Sequence, residues 1–479
     1  MKKHLITLLT LLFALPTVWA SSFTYHITQE QTVLEIQSGL QAAINNNEQV
    51  IVVGSKTNAD QTLALEIATG KTVVWQAVYQ SIGTFSATAL LSISGTGTFE
   101  VAEGAQITGA AEELITSEGD NATVAVSGGN IIATWCNAIV TYGKNAKILI
   151  SGGYLCNNAD GNYPAIIAWD PRPNSEAQVH VSGNAKIEAK GKGSAIISTY
   201  SVKISGTAHV SNAAGGDDAA AILGYYKVEI TDNAKVTASN NNAISSYFDV
   251  SVSGNSVVEA KENAIAINII YPNGKVEIKD NAQVIAAQNY AIYTKGWFNI
   301  SIIGGMVFSY GTNMDAVIND ESFTGPTGTG VVLAWDKQAG NIHYEKQSKE
   351  DIFVSPATAT AHWEVIGGKA GIYYANGSNT GFIPLEVSVL SIHEPVSLGF
   401  EVYPNPTSGE LQVTSYELQM NNEKLIMNNI ELFDIYGRKQ NVEFHSYGLT
   451  ILQSYGLSTL PAGIYFLRVG NEMKRVVKL

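Results

Sequence analysis

The sequence predicts an all-β protein built around a right-handed parallel β-helix, and three observations carry this prediction. A unit recurs eight times, about every 22–31 residues, between Val124 and Val317. Within each unit the apolar residues have a spacing of two, which is the period of a strand with one buried face. These residues are mostly Val and Ile, which favour strands, and each unit contains a Gly or Asp turn. A repeat of this length is typical of a solenoid, so each unit should form one coil of about three short strands.

The repeats align into columns that should stack on successive coils. The turn falls at Gly128, Gly152, Gly183, Gly206, Asp232, Gly254, Asp280 and Gly304. Two residues earlier stand Val126, Ile150, Val181, Ile204, Ile230, Val252, Ile278 and Ile302. Four residues before the turn stand Val124, Ile148, Val179, Val202, Val228, Val250, Val276 and Ile300. Four residues after it stand Ile132, Cys156, Ile187, Val210, Val236, Val258, Val284 and Phe308. We expect these three apolar columns to line the interior.

A fourth column, three residues before the turn, should point outward. It reads Ala125, Leu149, His180, Lys203, Glu229, Ser251, Glu277 and Ser301. Hydrolases and lyases that act on polysaccharides need clustered carboxylates, or carboxylates beside Lys or Arg. The column is mixed, and Lys203 beside Glu229 is typical of a solvated surface pair. It therefore favours a structural role for this face.

The first 90 residues divide into a targeting signal and the beginning of the solenoid. Lys2 and Lys3 precede an apolar stretch that ends at Ala20, which predicts a secretory signal peptide (1–20) cleaved after that residue. Residues 21–90 should form an N-terminal cap and the first coils. The apolar spacing from Thr32 to Asn45 predicts an amphipathic helix, and a helix would cover the exposed sheet edges of the first coil.

Three further segments follow. Residues 91–320 form the predicted β-helix, and residues 321–390 break its period, so we expect closing coils or a small β cap there. Residues 391–479 are predicted to be a linker and a C-terminal domain.

Composition restricts the classes of partner. The net charge of −14 over 479 residues argues against nucleic acid, and beyond the signal peptide no stretch has the length of a membrane span. Motifs for hydrolases, metal sites and nucleotide loops are missing from the sequence, so we expect no metal and no cofactor. Cys156 falls in an inward column and Cys136 in another, and a bridge between them is left open.

Aromatic residues gather just after the Ala-Ile or Ala-Val step of the repeats. Tyr142, Trp169, Tyr225 and Tyr247 lie four residues after the Ala, and Tyr200, Tyr226 and Phe248 lie five after it. Coils about 4.8 Å apart would align them along one edge of the solenoid. An exposed row of rings would bind sugars, whereas a buried row would only pack a corner. We name Tyr142, Trp169, Tyr200, Tyr225, Tyr226 and Tyr247 as the candidate ligand-binding residues.

The C-terminal segment changes character. Pro, Gly and Asp turns separate alternating strands, which predicts a small immunoglobulin-like β-sandwich. Its motifs include Tyr403 to Gly409 (YPNPTSG), Ile430 to Arg438 (IELFDIYGR), Leu460 to Val469 (LPAGIYFLRV) and Lys474 to Leu479 (KRVVKL). These stretches resemble the C-terminal sorting domain of the bacterial type IX secretion system, also called the Por secretion tail. The residues that match its motifs are Pro404, Asn405, Pro406, Gly409, Gly437, Pro461, Gly463, Lys474 and Lys478.

The resemblance covers about one sixth of the chain and implies a destination. Proteins of this kind are exported across the outer membrane of Bacteroidetes-type bacteria to the cell surface or beyond. The implied partners are the secretion machinery and its sortase, with surface lipopolysaccharide as an attachment point.

The repeats are similar, more weakly, to pectin-lyase-like β-helix proteins, a fold that hosts both enzymes and passive scaffolds. Two function classes therefore stay open. One is a non-catalytic surface protein, such as an adhesin, glycan-binding protein or scaffold, and the other is a polysaccharide lyase or glycoside hydrolase. The carboxylate-poor outward column favours the first.

Overall fold

A computed structural model describes most of the chain, with gaps. The described residues are 22–84, 88–158, 161–170, 178–213, 219–262, 264–287, 289–295, 299–310, 317–320, 323–335, 352–367, 369–384, 400–403, 410–415, 430–434, 438–440, 443–446, 452–456, 460–469 and 472–479. The predicted signal peptide lies outside them. The chain divides into two compact units, residues 1–387 and 388–479.

The first unit is a parallel β-solenoid of about 11 turns, as predicted. Each turn contributes strands to three parallel sheets, A, B and C. Sheet A contains β1 (Ser22–Ile27), β2 (Gln49–Ala59), β4 (Thr72–Trp75), β7 (Thr98–Val101), β10 (Thr123–Val126), β13 (Lys147–Ile150), β16 (Gln178–Val181), β19 (Ser201–Ile204), β22 (Lys227–Ile230), β25 (Asp249–Val252), β28 (Lys275–Ile278) and β31 (Asn299–Ile302).

Sheets B and C complete each coil. Sheet B begins with the second half of β2 and continues with β5 (Val78–Thr84), β8 (Gln106–Ala110), β11 (Asn130–Ala133), β14 (Tyr154–Asn157), β17 (Lys186–Ala189), β20 (His209–Asn212), β23 (Lys235–Ala238), β26 (Val257–Ala260), β29 (Gln283–Ala286), β32 (Met306–Tyr310) and β34 (Val331–Trp335). Sheet C contains β3 (Leu63–Glu66), β6 (Ala89–Ser94), β9 (Glu113–Ser117), β12 (Asn137–Thr141), β15 (Ile166–Ala168), β18 (Ile196–Ser198), β21 (Ala220–Gly224), β24 (Asn242–Ser246), β27 (Ile267–Ile269), β30 (Ile292–Thr294) and β33 (Ile318–Asn319).

The predicted interior columns of sheet A are confirmed. The eight residues two before the turn, from Val126 to Ile302, pair in register and are all at most 1% exposed. The column that begins at Val124 is also buried except at its last member, Ile300, which is partly buried against the same core. The column that begins at Ala125 points outward, as expected, since its members are exposed or partly exposed.

The predicted column in sheet B is wrong at three places. Ile131, Leu155 and Val307 line the interior, and the neighbouring Ile132, Cys156 and Phe308 lie on the outer face. The cause is the double glycine in these coils. Val126 and Ile131 are five positions apart, whereas Val181 and Ile187 in a single-glycine coil are six apart.

The left-handed turn residue shifts in the same coils. It is the second glycine, at Gly129, Gly153 and Gly305, and not the predicted first one. The single-glycine coils have their positive φ at the predicted position, as at Gly183 (φ 59°).

A helix covers the first coil. Helix α1 (Val33–Asn46) connects β1 to β2 and begins with a capping box, in which Thr32 and Glu35 exchange hydrogen bonds. Its apolar face, which includes Ile36, Leu40 and Ile44, belongs to the same core as the first strands. Leu34 of the same helix is 60% exposed.

The other end of the solenoid carries a second core. Strand β35 (Ile352–Ser355) pairs antiparallel with β34, and β36 (Thr360–Ile366), β37 (Lys369–Asn376) and β38 (Asn379–Pro384) form an antiparallel sheet. The outward Phe308 and Leu333 of sheet B pack with Ile372 and Tyr374 of this sheet. Phe308 is therefore buried although it points away from the interior of the solenoid.

The second unit contains two antiparallel sheets. One has the order β39 (Phe400–Tyr403), β40 (Glu410–Ser415), β44 (Leu452–Gly456), β43 (Glu443–Ser446). The other has the order β42 (Lys439–Gln440), β41 (Ile430–Asp434), β45 (Gly463–Val469), β46 (Glu472–Lys478). Within the described part of the chain, no helix has the length and apolar character needed to cross a membrane.

Candidate functional site

The aromatic residues lie where the strands of sheet C end. The last residues of these strands pair from coil to coil, as in Thr141 with Ala168 and Gly224 with Ser246. The next residue in each coil extends the hydrogen-bond ladder, since the N–H of Trp169 donates to Thr141 O and that of Tyr247 to Gly224 O, both at 2.9 Å. The residues at this position form a row parallel to the coil axis: Tyr142, Trp169, Thr199, Tyr225, Tyr247 and Ile270.

A second row lies one residue further along each coil. It contains Tyr200, Tyr226, Phe248 and Tyr271. Six rings of the two rows are joined by successive ring contacts, and we call these six the aromatic strip: Trp169, Tyr225, Tyr226, Tyr247, Phe248 and Tyr271.

The two rows differ in how their rings pack. In the first row, Tyr225 and Tyr247 stack nearly parallel, with centroids 4.3 Å apart and planes at 11°. Each ring therefore covers one face of the other, and both side chains are partly buried. In the second row the centroids of Tyr226 and Phe248 are 6.0 Å apart, and those of Phe248 and Tyr271 are 6.1 Å apart. Tyr225 and Tyr247 are therefore more enclosed than Tyr226, Phe248 and Tyr271.

Three rings of the strip are the most exposed, and they come from both rows. The side chain of Tyr226 is 61% exposed, Tyr271 is 51% exposed and Trp169 is 41% exposed. The coil of Thr199 lies between the coil of Trp169 and that of Tyr225. The Trp169 and Tyr225 rings nevertheless contact each other across it, with their centroids 6.3 Å apart. The small Thr199 side chain leaves room for this edge contact.

The structure brings four of the six candidate ligand-binding residues into one series of ring contacts. Trp169, Tyr225, Tyr226 and Tyr247 belong to the aromatic strip. Tyr200 lies in the second row and is partly buried, and Tyr142 lies in the first row one coil before Trp169.

Two strip residues were missing from the candidate set. Phe248 lies five residues after Ala243, and Tyr271 lies five residues after Ala266. The signal that could have found Tyr271 is this same spacing, applied to one more coil.

Carboxylates surround the beginning of the first row. The hydroxyl of Tyr142 donates to Glu113 Oε1 at 2.7 Å. Burial raises the pKa of Tyr142, and the hydrogen bond to Glu113 and the charges of Glu118 and Glu112 raise this pKa further. Glu118 occupies the first-row position one coil before Tyr142. At the other end of the row, Lys295 follows the last strand residue, Thr294.

A row of aliphatic side chains borders the strip on sheet C. Ile167, Ile197 and Leu223 pair in register on the outer face of their strands and are partly exposed. Val140 begins this row and is buried. On the coils of Tyr247 and Tyr271 this row continues with Ser245 and Asn268, so it is aliphatic only beside the first part of the strip.

A charged network covers the outer face of sheet B. Tyr154 donates to Glu188 at 2.6 Å, and Lys186 Nζ lies 3.3 Å from the same carboxylate. Burial alone would raise the pKa of Glu188, but the bonds from Tyr154 and Lys186 lower it. Two coils further on, Lys235 pairs with Glu259 at 3.1 Å.

His209 lies between these pairs and contacts Thr237 at 3.0 Å. Burial and then the charges of Lys235 and Lys186 lower the pKa of His209. The network combines carboxylates, lysines, a phenol and an imidazole on neighbouring coils.

The remaining candidate chemistry is limited. The described residues contain no group of three or more His, Cys, Asp or Glu side chains arranged to hold a metal ion. Cys136 and Cys156 are both free and buried. Cys136 belongs to the interior core, whereas Cys156 lies on the outer face of sheet B with its Sγ 2.9 Å from Asn158 Oδ1.

The described tail residues include part of the sorting motif. Pro461 O accepts a hydrogen bond from the hydroxyl of Tyr465 at 2.9 Å. Gly463 begins β45 and pairs with Lys478 of β46, and Lys474 pairs with Leu467. Pro404, Asn405, Pro406, Gly409 and Gly437 lie outside the described residues.

Residues 401–479 match the family of secretion system C-terminal sorting domains, the Por secretion tail. This tail marks proteins that the type IX system exports, so the protein is secreted to the cell surface or the extracellular space. It follows that the tail interacts with the secretion machinery. No match was found among curated proteins or among solved structures.

Proposed function

We propose that this protein is a non-catalytic surface protein that binds glycans through the aromatic strip. The observation that carries the proposal is a continuous series of ring contacts over several coils, with Trp169, Tyr226 and Tyr271 left exposed. Sugar rings have apolar faces and hydroxylated rims, so they pack well on aromatic side chains in water. Solvent-exposed aromatic surface of this extent has no role in the solenoid core, which the Val and Ile columns already fill.

The export route fits this role. We infer that a signal peptide directs the chain to the periplasm and is removed after Ala20. A sortase then replaces the tail, and lipopolysaccharide attachment holds the solenoid at the surface.

A glycan array with the secreted protein tests this function. The unmodified protein should bind a defined set of glycans. Trp169→Ala combined with Tyr226→Ala should weaken this binding roughly 5- to 150-fold, taking about 0.5–1.5 kcal/mol for each aromatic contact. Trp135→Ala is the matched control, because Trp135 is 57% exposed but lies in the connection between sheets B and C.

Two results would contradict the proposal. One is unchanged glycan binding by the folded double variant. The other is unfolding of the double variant, which circular dichroism would report and which would assign the rings to the core.

A second candidate function, a polysaccharide lyase or hydrolase, is favoured by the network on sheet B. Lys186 beside Glu188 is the kind of cation–carboxylate pair that a lyase would use. Tyr154 and His209 belong to the same network and could donate or accept a proton. Incubation with acidic and neutral polysaccharides, followed by an assay for new reducing ends, tests this reading. Product formation that is lost in Lys186→Ala but kept in Lys227→Ala, a paired surface lysine of sheet A, would establish it.

A further inference from the structure

The two rows of the aromatic strip run parallel to the coil axis. Register pairing places Tyr226, Phe248 and Tyr271 on three successive coils, and Tyr225 and Tyr247 beside them. Neighbouring strands are about 4.8 Å apart, which is close to the length of one sugar unit in an extended chain. Trp169 and Tyr271 are four coils apart, so the strip spans about 19 Å, enough for about four sugar units.

The charges at the ends of the strip limit what can lie along it. Tyr142, one coil before the strip, lies near Glu112, Glu113 and Glu118. At the other end, Lys295 lies one coil beyond Tyr271, and this single lysine could pair with only one anionic group of a charged chain.

Along the strip itself, the neighbouring outward side chains are uncharged: they are aliphatic at Ile167, Ile197 and Leu223, and polar at Ser245 and Asn268. A uronate or sulfated chain would bring anionic groups toward the carboxylates and over an uncharged surface that cannot pair them. A neutral chain avoids both the repulsion by the carboxylates and the burial of unpaired charges.

We propose that the aromatic strip binds a linear, neutral glycan in extended conformation, aligned with the solenoid axis and contacting about four consecutive sugar units. This inference rests on the proposed glycan-binding function and adds the orientation, the length and the charge class of the ligand. Exposed rings at corresponding positions on three successive coils, with Trp169 two coils before them, favour an extended chain, because a coiled or branched chain would leave the row after one or two contacts.

Titration calorimetry of the full-length protein tests the inference with defined probes. The probes are cello-, xylo- and manno-oligosaccharides of two to six units, and oligogalacturonides of the same lengths. For the neutral series that binds, the affinity should rise roughly 2- to 12-fold with each added unit up to about four units, and then level off. Oligogalacturonides should bind more weakly at every length.

Variants at the two ends of the strip test the orientation. Trp169→Ala and Tyr271→Ala should each weaken binding of the hexasaccharide roughly 2- to 12-fold, and their effects should combine. Neither should change the affinity for the disaccharide by more than about twofold, since a disaccharide can occupy the remaining rings. Trp135→Ala should change neither affinity.

Distinct outcomes separate this inference from the function on which it rests. Three results would contradict the proposal of a neutral glycan aligned with the solenoid axis. They are an affinity that does not depend on chain length, tighter binding of oligogalacturonides, and hexasaccharide binding that only one of the two end variants weakens. Binding only to branched glycans on the array would overturn it as well. Failure of the folded, unmodified protein to bind any glycan would instead overturn the proposed function.

Discussion

Single residues at the turns connect neighbouring coils. Asp232 and Asp280 have positive φ angles of 62° and 56°, at the position that other coils fill with glycine. Their carboxylates accept hydrogen bonds from the N–H of Gly206 and of Gly254 in the preceding coil, both at 2.9 Å. Asp adopts the left-handed conformation more readily than most residues, and here its side chain also satisfies a backbone donor.

Two substitutions at Asp280 separate these contributions. Asp280→Gly loses the hydrogen bond but keeps a favourable backbone, so we expect a loss of about 1 kcal/mol in the free energy of unfolding. Asp280→Ala loses the bond and also places a methyl-bearing residue in the left-handed region, which costs about 1 kcal/mol more. Denaturant unfolding followed by circular dichroism measures both. An Ala variant as stable as the Gly variant would contradict the strain argument.

Protonation of His209 should make the solenoid less stable in mild acid. Its pKa in the folded protein lies below the ordinary value of 6.5, because burial and the nearby Lys235 and Lys186 disfavour its charged form, against weaker support from Glu188 and Glu259. The folded state thus binds fewer protons than the unfolded state, and stability falls as the pH decreases below about 6.5.

We expect His209→Gln to reduce the loss of stability between pH 7.5 and pH 5.5, measured as the shift of the denaturation midpoint. The lowered pKa of Glu188 affects stability only below its ordinary value of 4.5, so it does not contribute in this window. His180, whose pKa is also lowered by burial and by Lys203, is the matched comparison. Identical pH dependence in His209→Gln and the unmodified protein would show that His209 is not responsible.

At the scale of the strand, the length of the turn decides which side chains enter the core. A turn with two glycines is one residue shorter than the single-glycine turn, and a one-residue change of register reverses the two faces of a strand. Ile131 is consequently buried in the interior, whereas Ile132 is partly exposed on the outer face of sheet B.

A pair of matched substitutions checks this register. Ile131→Ser should lower the free energy of unfolding by about 3–5 kcal/mol, because it leaves a cavity and buries a hydroxyl. Ile132→Ser should cost less than about 1 kcal/mol, since its side chain is partly hydrated already. Thermal unfolding of the two variants measures both losses of stability. A larger loss in Ile132→Ser than in Ile131→Ser would support the register expected from the sequence.

At the scale of the molecule, different elements cover the two ends of the solenoid. Helix α1 covers the first coil, and the antiparallel sheet of β36–β38 covers the outer face of the last strands of sheet B. There, the amide of Asn379 donates to Gly305 O and Thr329 O, both at 2.7 Å. Such coverings satisfy backbone groups and blunt edges that would otherwise promote aggregation.

The sorting tail should be needed for export but not for passage into the periplasm. Deletion of residues 398–479 removes the matched sorting domain, so the truncated chain should accumulate in the periplasm with its signal peptide removed. Cell fractionation and surface protease treatment measure this distribution. A truncated protein that still reaches the cell surface would show that export does not depend on the tail.

The sequence by itself determined the coil and its interior in sheet A. Val126, Ile230 and Ile302 could be placed because a strand alternates its faces with a period of two, and because identical positions stack when coils repeat. The motifs of the tail likewise identified the export route without any structure, since they are continuous in sequence. Helix α1 was predictable for the same reason, from local apolar spacing.

Only the tertiary structure decided the contacts between coils. Loops of unequal length separate the repeats, so a residue count could not show that the Trp169 ring contacts that of Tyr225 across the coil of Thr199. The same holds for Tyr154 and Glu188, which are 34 residues apart in sequence and share a hydrogen bond. The physical reason is that register within a strand is fixed by local periodicity, whereas side-chain contacts between coils depend on the exact length of each turn and on the room that neighbouring side chains leave.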